Sequence, residues 1–110
     1  MSTTGRKRHH VSRKRHVMKE QHLEQALVKT VEALGGVCWK LVSPGTAGVP
    51  DRIVLLPDGH VGFVEVKAPG GKVRAIQKHR LRQLKHLGFT ALVLNNPDDI
   101  KKVCHAIQAA

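Results

Sequence analysis

Aromatic residues are nearly missing from this 110-residue chain, which has one tryptophan, two phenylalanines and no tyrosine. The core must therefore be aliphatic, and single-strand nucleic-acid binding by a row of stacked bases is argued against for want of rings. Cysteine is scarce as well. Cys38 and Cys104 stand alone without a Cys-x-x-Cys partner, so they are expected as buried free thiols in a reducing cytosol. The histidines are split between a tail (His9, His10, His16) and scattered positions without ligand spacing, which argues against a structural zinc. Apolar runs such as Ile53 to Leu56 and Ala91 to Leu94 fall far short of the roughly 18 residues of a membrane-spanning helix. The basic N-terminus is not followed by the apolar stretch of an export signal. Gly70-Gly71-Lys72-Val73 lacks both the upstream glycine and the following hydroxyl residue of a phosphate-binding P-loop, so no nucleotide cofactor is expected. No Ser-His-Asp grouping with a nucleophile turn is present.

Acidic residues are the other shortage. Eight Asp and Glu face 19 Lys and Arg, a net charge of +11 and a pI of about 10.4, which is the electrostatic footprint of a polyanion binder. Arg6, Lys7, Arg8, Arg13, Lys14 and Arg15 put +6 into the first seventeen residues, which contain no acid. With no hydrophobic period either, residues 1–17 read as a disordered basic arm, and residues 18–110 as one domain with a modest core.

Within that domain, Leu23, Ala26, Leu27, Thr30, Val31 and Leu34 recur at helical spacing, and Gly35-Gly36 supplies the stop. Val37 to Val42 reads as a strand, and Ser43 to Gly48 as a loop that delivers the chain to Asp51. Arg52 to Leu56 and Val61 to Lys67 form a hairpin about the Pro57-Asp58-Gly59-His60 turn. A second helix is expected from about Arg74 to Leu87, a buried strand over Thr90 to Asn95, and a last helix opened by Pro97. Three strands joined by short turns make an antiparallel meander, and a helical crossover favours a parallel fourth strand. The fold class is α/β, with a mixed four-stranded sheet flanked by helices.

The residues that carry chemistry lie on the hairpin. Asp51 stands at the mouth of its first strand, and Glu65 and Lys67, two apart on the second, share a face. Two carboxylates and an ammonium on one sheet face suit a hard divalent cation that also takes phosphate oxygens. The bland alternative is an exposed Glu65–Lys67 ion pair. On the first helix, a wheel of about 100° per residue sets Glu20 inside the apolar arc and Glu24 near its edge. A carboxylate in an apolar face needs a partner, a proton or a cation, and either glutamate is a candidate. Arg52 is either a phosphate clamp or a strand-edge partner for an acid. Lys72, Arg74, Lys78, Arg80, Arg82 and Lys85 crowd the second helix and its approach as a solvated basic face.

Gly48-Val49-Pro50-Asp51-Arg52, Val64-Glu65-Val66-Lys67-Ala68-Pro69-Gly70, Gln77 and Leu87-Gly88-Phe89 together resemble the VRR-NUC family of the PD-(D/E)XK nuclease superfamily, in its stand-alone phage and bacterial form. The resemblance runs from about Met18 to the C-terminus and implies a restriction-endonuclease-like αβββαβ core. It also implies a Mg²⁺- or Mn²⁺-dependent DNA endonuclease in which Asp51, Glu65 and the Val66 carbonyl hold the metal. Glu20, with Glu24 as the alternative, would support the metal through water, Lys67 would position the attacking water, and Gln77 would sit near the scissile phosphate. Arg52, Lys72, Arg74 and Lys78 are candidate DNA contacts. A homodimer acting on branched DNA such as a four-way (Holliday) junction is the expected assembly and substrate, in the cytoplasm and near the nucleoid of a bacterial or phage-infected cell. The competing readings are a non-catalytic DNA-binding module on the same fold and an RNA binder driven by the arm. The scarcity of aromatics weakens the RNA reading.

Overall fold

The computed structural model describes residues 19–110, so the basic arm expected over residues 1–17 lies outside the described residues. The first helix, α1, covers residues 19–33 within that range. It is followed by β1 (Val37–Lys40), β2 (Arg52–Leu56), a 3₁₀ turn (Pro57–Gly59) and β3 (His60–Val66). Then come α2 (Ala75–His86), β4 (Thr90–Leu94), a second 3₁₀ turn (Pro97–Asp99) and α3 (Ile100–Ala109). The strands make one sheet in the order β1-β2-β3-β4. β1 to β3 form the antiparallel meander, and β4 runs parallel to β3. This is the mixed sheet that the order of elements implied.

Strand parity decides which residues build the core. Cys38, Val54, Leu56, Val64, Val66 and Leu94 turn to one face, where they join Leu23, Leu27 and Val31 of α1 and Ile100, Val103, Cys104 and Ile107 of α3 in a single buried cluster. Each of these buried aliphatic side chains contributes about 1.5–3 kcal/mol over leaving it in water. Helix α3 lies so close to β3 that a Cβ on Gly62 would fall 2.4 Å from Ile107 Cγ1. Both cysteines are free and buried in this layer, and burial pushes the Cys38 thiol up to about 11. Among the described residues, no helix is long and apolar enough to cross a membrane.

The opposite face is covered unevenly. Helix α2 packs against β4 and lays Gln77 and Leu81 inward. The β1 and β2 side of the same face carries Val37 and Trp39, both exposed.

Two boundaries differ from the sequence pattern for local reasons. β1 stops at Lys40 rather than Val42. Its partner strand cannot extend, because Pro50 has no N–H to give, and the last cross-strand bond is Leu41 N–H to the Asp51 carbonyl at 2.8 Å. The final helix does not open at Pro97 but after a 3₁₀ turn, where the Asn96 side chain accepts the Asp98 N–H at 2.9 Å.

Candidate active site

Asp51 is placed by the end of a ladder. β2 pairs with β3 as far as Arg52 opposite Val64, and two residues further along the ladder Val66 would face Pro50. Instead the Asp51 side chain turns in, and its Oδ2 accepts the Val66 N–H at 2.8 Å. The carboxylate therefore replaces a strand partner and is held against β3. Upstream, Gly48 adopts φ +80, and a Cβ there would lie 2.8 Å from Ile76 Cγ1 and 3.0 Å from the Ile76 backbone. Only glycine lets the loop approach the first turn of α2 so closely in that conformation. Arg80 fastens the same loop, its Nε donating to the Ala47 carbonyl at 2.8 Å.

Glu65 stands near the C-terminal end of the central strand β3, only 1 % exposed. Its Oε2 accepts from Gln77 Nε2 at 3.0 Å and stands 3.7 Å from Lys67 Nζ. Its Oε1 is buried and accepts from no donor among the described residues. Gln77 has a second task, since its Oε1 accepts the Arg74 N–H at 2.9 Å and so caps the N-terminus of α2. Loss of solvent, the adjoining Asp51 carboxylate and a hydrogen bond between the two acids push the Glu65 carboxyl up to about 7, while Lys67 pulls it down. Burial also raises the Glu20 carboxyl, with Lys67 drawing it back and Asp51 and Glu24 adding to the rise. Glu20 thus feels the same charges as Glu65 from the first turn of the described part of α1.

Asp51, Glu65, Lys67 and Gln77 are brought together, Val66 joins them through its N–H, and Glu20 stands within reach of the Asp51 and Lys67 charges. Glu24 and Arg52 are engaged elsewhere. Arg52 Nε donates to Glu24 Oε1 at 2.7 Å, and its NH1 donates to the Cys38 carbonyl at 3.3 Å. Of the two roles open to Arg52, the structure gives it the acid partner. Parity could have shown this, because Arg52 lies in phase with the core residues Val54 and Leu56 and so points toward α1. Lys72, Arg74 and Lys78 are exposed at the N-terminal end of α2, the end that Gln77 ties to Glu65. Beyond the residue type, nothing in the residue pattern signals the Gln77 bridge or the Arg80 tether.

The donor set fits a hard divalent ion. A buried carboxylate oxygen without a partner, beside a second carboxylate, leaves repulsion that Mg²⁺ or Mn²⁺ would relieve with the oxygen ligands these ions prefer. Among the described residues, no group of three or more His, Cys, Asp or Glu is gathered as a complete ligand set. Remaining positions would thus fall to main chain, water and substrate, as suits an ion that keeps part of its hydration.

A model of the VRR-NUC domain family matches residues 3–97. A protein of Acyrthosiphon pisum secondary endosymbiont phage 1, provisionally named nuclease p44, is 44% identical over 82 residues, which are 74% of this chain and 88% of that protein. A solved VRR-NUC domain structure superposes with a TM-score of 0.73 at 30% identity, covering 79% of this chain and 95% of the other.

Proposed function

Because the chain belongs to the VRR-NUC domain family of nucleases, we propose that it is a divalent-metal-dependent DNA endonuclease acting on branched substrates such as four-way junctions. The observation that carries this reading is the buried, partnerless Oε1 of Glu65 beside Asp51, with the Lys67 ammonium 3.7 Å from the other oxygen. Asp51, Glu65 and the Val66 carbonyl would hold Mg²⁺ or Mn²⁺, and Glu20 would reach it through water. Such an ion neutralises charge at the scissile phosphate and eases deprotonation of the attacking water.

The chain's own groups do the rest. Gln77 fixes the Glu65 carboxylate and keeps the N-terminus of α2 beside it, where the helix dipole favours negative charge. Lys67 holds the attacking water in line with phosphorus, and its ammonium offsets the growing negative charge. Lys72, Arg74 and Lys78 take neighbouring phosphates. Arg52 is a strut between β2 and α1 rather than a DNA contact. The products would be a 5′-phosphate and a 3′-hydroxyl, and a homodimer would present two sites to a two-fold junction.

The test is a cleavage assay on linear duplex, flap and four-way junction DNA, with and without Mg²⁺ or Mn²⁺, using wild type and Asp51→Asn. Ion-dependent cutting that favours the junction is expected, with a loss of roughly a thousandfold or more in the variant and little change in DNA affinity. Cutting that persists in a chelator would overturn the metal site. Equal rates on all three DNAs would overturn the substrate assignment.

A further inference from the structure

Arg52 joins three elements at the edge of the site. Its backbone lies on β2, its Nε donates to Glu24 Oε1 of α1 at 2.7 Å, and its NH1 donates to the Cys38 carbonyl of β1 at 3.3 Å. The Glu24 contact is at the short end for a charge-assisted bond. The two side chains are only 19% and 18% exposed, so water and salt screen them less than an ordinary surface pair. Among the described residues this is the only salt bridge between α1 and the sheet.

Each end of the pair adjoins a carboxylate of the site. Asp51 immediately precedes Arg52, one Cα step of about 3.8 Å away. Glu20 stands one turn before Glu24, about 6 Å along the axis and on the same side of the helix. The buried face of α1 begins past it, at Leu23, so the turn that carries Glu20 has no apolar anchor of its own among the described residues. Yet Glu20 feels the charges of both Lys67 and Asp51.

We infer that Arg52 and Glu24 are a positioning pair, holding α1 against β2 at the spacing from which Glu20 serves the same ion as Asp51. This rests on the metal-dependent nuclease reading and gives the two residues a part in it beyond stability. Neither is a ligand in that scheme, and both act through Glu20.

Two other roles for the pair differ in sign. A mere fold stabiliser would lower the melting temperature when cut and leave the ion affinity of the folded site alone. A mere source of charge would act oppositely at its two ends, since losing the Glu24 anion weakens cation binding and losing the Arg52 cation strengthens it. A positioning pair predicts the same loss from either end, because either cut frees α1 from β2.

Mn²⁺ affinity of the full chain is to be measured by calorimetric titration without DNA, at a temperature where circular dichroism shows each variant folded. Glu24→Gln and Arg52→Gln should each weaken Mn²⁺ by about tenfold, the low end of the roughly 10–100-fold range for residues that orient metal ligands. Arg52→Lys keeps the charge but cannot fork to both partners, and should show a milder loss of about threefold. Glu20→Gln should also weaken the ion by about tenfold, and adding Glu24→Gln or Arg52→Gln to it should cost nothing more, since the residue being positioned is gone. Ile107→Val, which loosens the core against Gly62 near the start of β3, should leave the affinity unchanged. In cleavage assays the two glutamine variants should need about tenfold more ion for half-maximal rate. Unchanged affinity in both, opposite signs at the two ends, an equal loss in Ile107→Val, or losses that multiply with that of Glu20→Gln would each overturn the inference. A wild type that binds Mn²⁺ with the expected pattern yet cuts no DNA would overturn the nuclease reading and leave the pair standing. A wild type that takes up no Mn²⁺ would overturn both.

Discussion

Exchanging Glu65 for glutamine isolates what the buried carboxylate costs the fold. Burial first, then the Asp51 carboxylate and the hydrogen bond to it, push the Glu65 carboxyl from 4.5 up to about 7. An acid whose folded-state pKa is raised contributes its stability in full below the unfolded value of 4.5. As pH rises, the unfolded chain sheds its proton first, and the contribution is lost by the time pH passes about 7. At roughly 1.36 kcal/mol per pH unit, that window is worth about 3 kcal/mol. Glutamine copies the protonated acid: it can donate to Asp51 and still accept from Gln77 Nε2. In EDTA at pH 8, Glu65→Gln should therefore be more stable than wild type by about 2–3 kcal/mol, a gain of roughly 10 °C in Tm for a domain this size. Near pH 4.5 the two should melt together. Urea and thermal denaturation at both pH values measure this, and a repeat with excess Mg²⁺ or Mn²⁺ completes the comparison. Wild type alone should recover with the ion, by about 2.7 kcal/mol at a hundredfold excess over Kd. A variant less stable than wild type at pH 8 in EDTA, or one with the same pH dependence as wild type, refutes the reasoning.

The two helical glutamates should separate in the same assays. Glu24→Gln leaves the part-buried Arg52 guanidinium without its counter-ion and should lower stability by about 1–3 kcal/mol. Glu20→Gln removes a carboxyl from among like charges, so it should slow cleavage without lowering stability, and a clear loss of stability would remove it from the site. Gly48→Ala forces a side chain into a left-handed backbone and against Ile76. It should cost about 2 kcal/mol or more in denaturation and reduce cleavage, because the displaced loop carries Asp51; a neutral result would show that the loop gives way freely.

Much of this was legible in the residues because period and punctuation agree. Alternation across Val61 to Lys67 put Glu65 and Lys67 on one face and Val64 and Val66 on the other, and the structure buries the two valines in the α1 and α3 layer. The helical wheel separated Glu20 from Glu24, and the two acids do serve different neighbours. What stayed hidden depends on which element lies across from a residue. Alternation states which residues share a face and not what covers it, so the bare side of β1 could not be foreseen. Gln77 was visible as a residue type, whereas its bridge from the α2 N-terminus to Glu65 exists only once the crossover places that turn over β3. Arg52 was misleading because it adjoins Asp51 in sequence, yet neighbours on a strand point to opposite faces.

The arrangement explains how a chain so poor in acids can bury one. Lys67 and Gln77 both address Oε2 of Glu65 and leave Oε1 bare. A second donor at Oε1 would stabilise the folded chain alone and close the position an ion needs. With Asp51 fixed by the Val66 N–H, the two carboxylates are held together at the expense of their own repulsion. The proton that Glu65 retains near neutral pH is then a placeholder, and any divalent ion that binds must displace it. Ion affinity should therefore climb with pH through about 7 in wild type, and the climb should vanish in Glu65→Gln, because the group that exchanges proton for metal is gone.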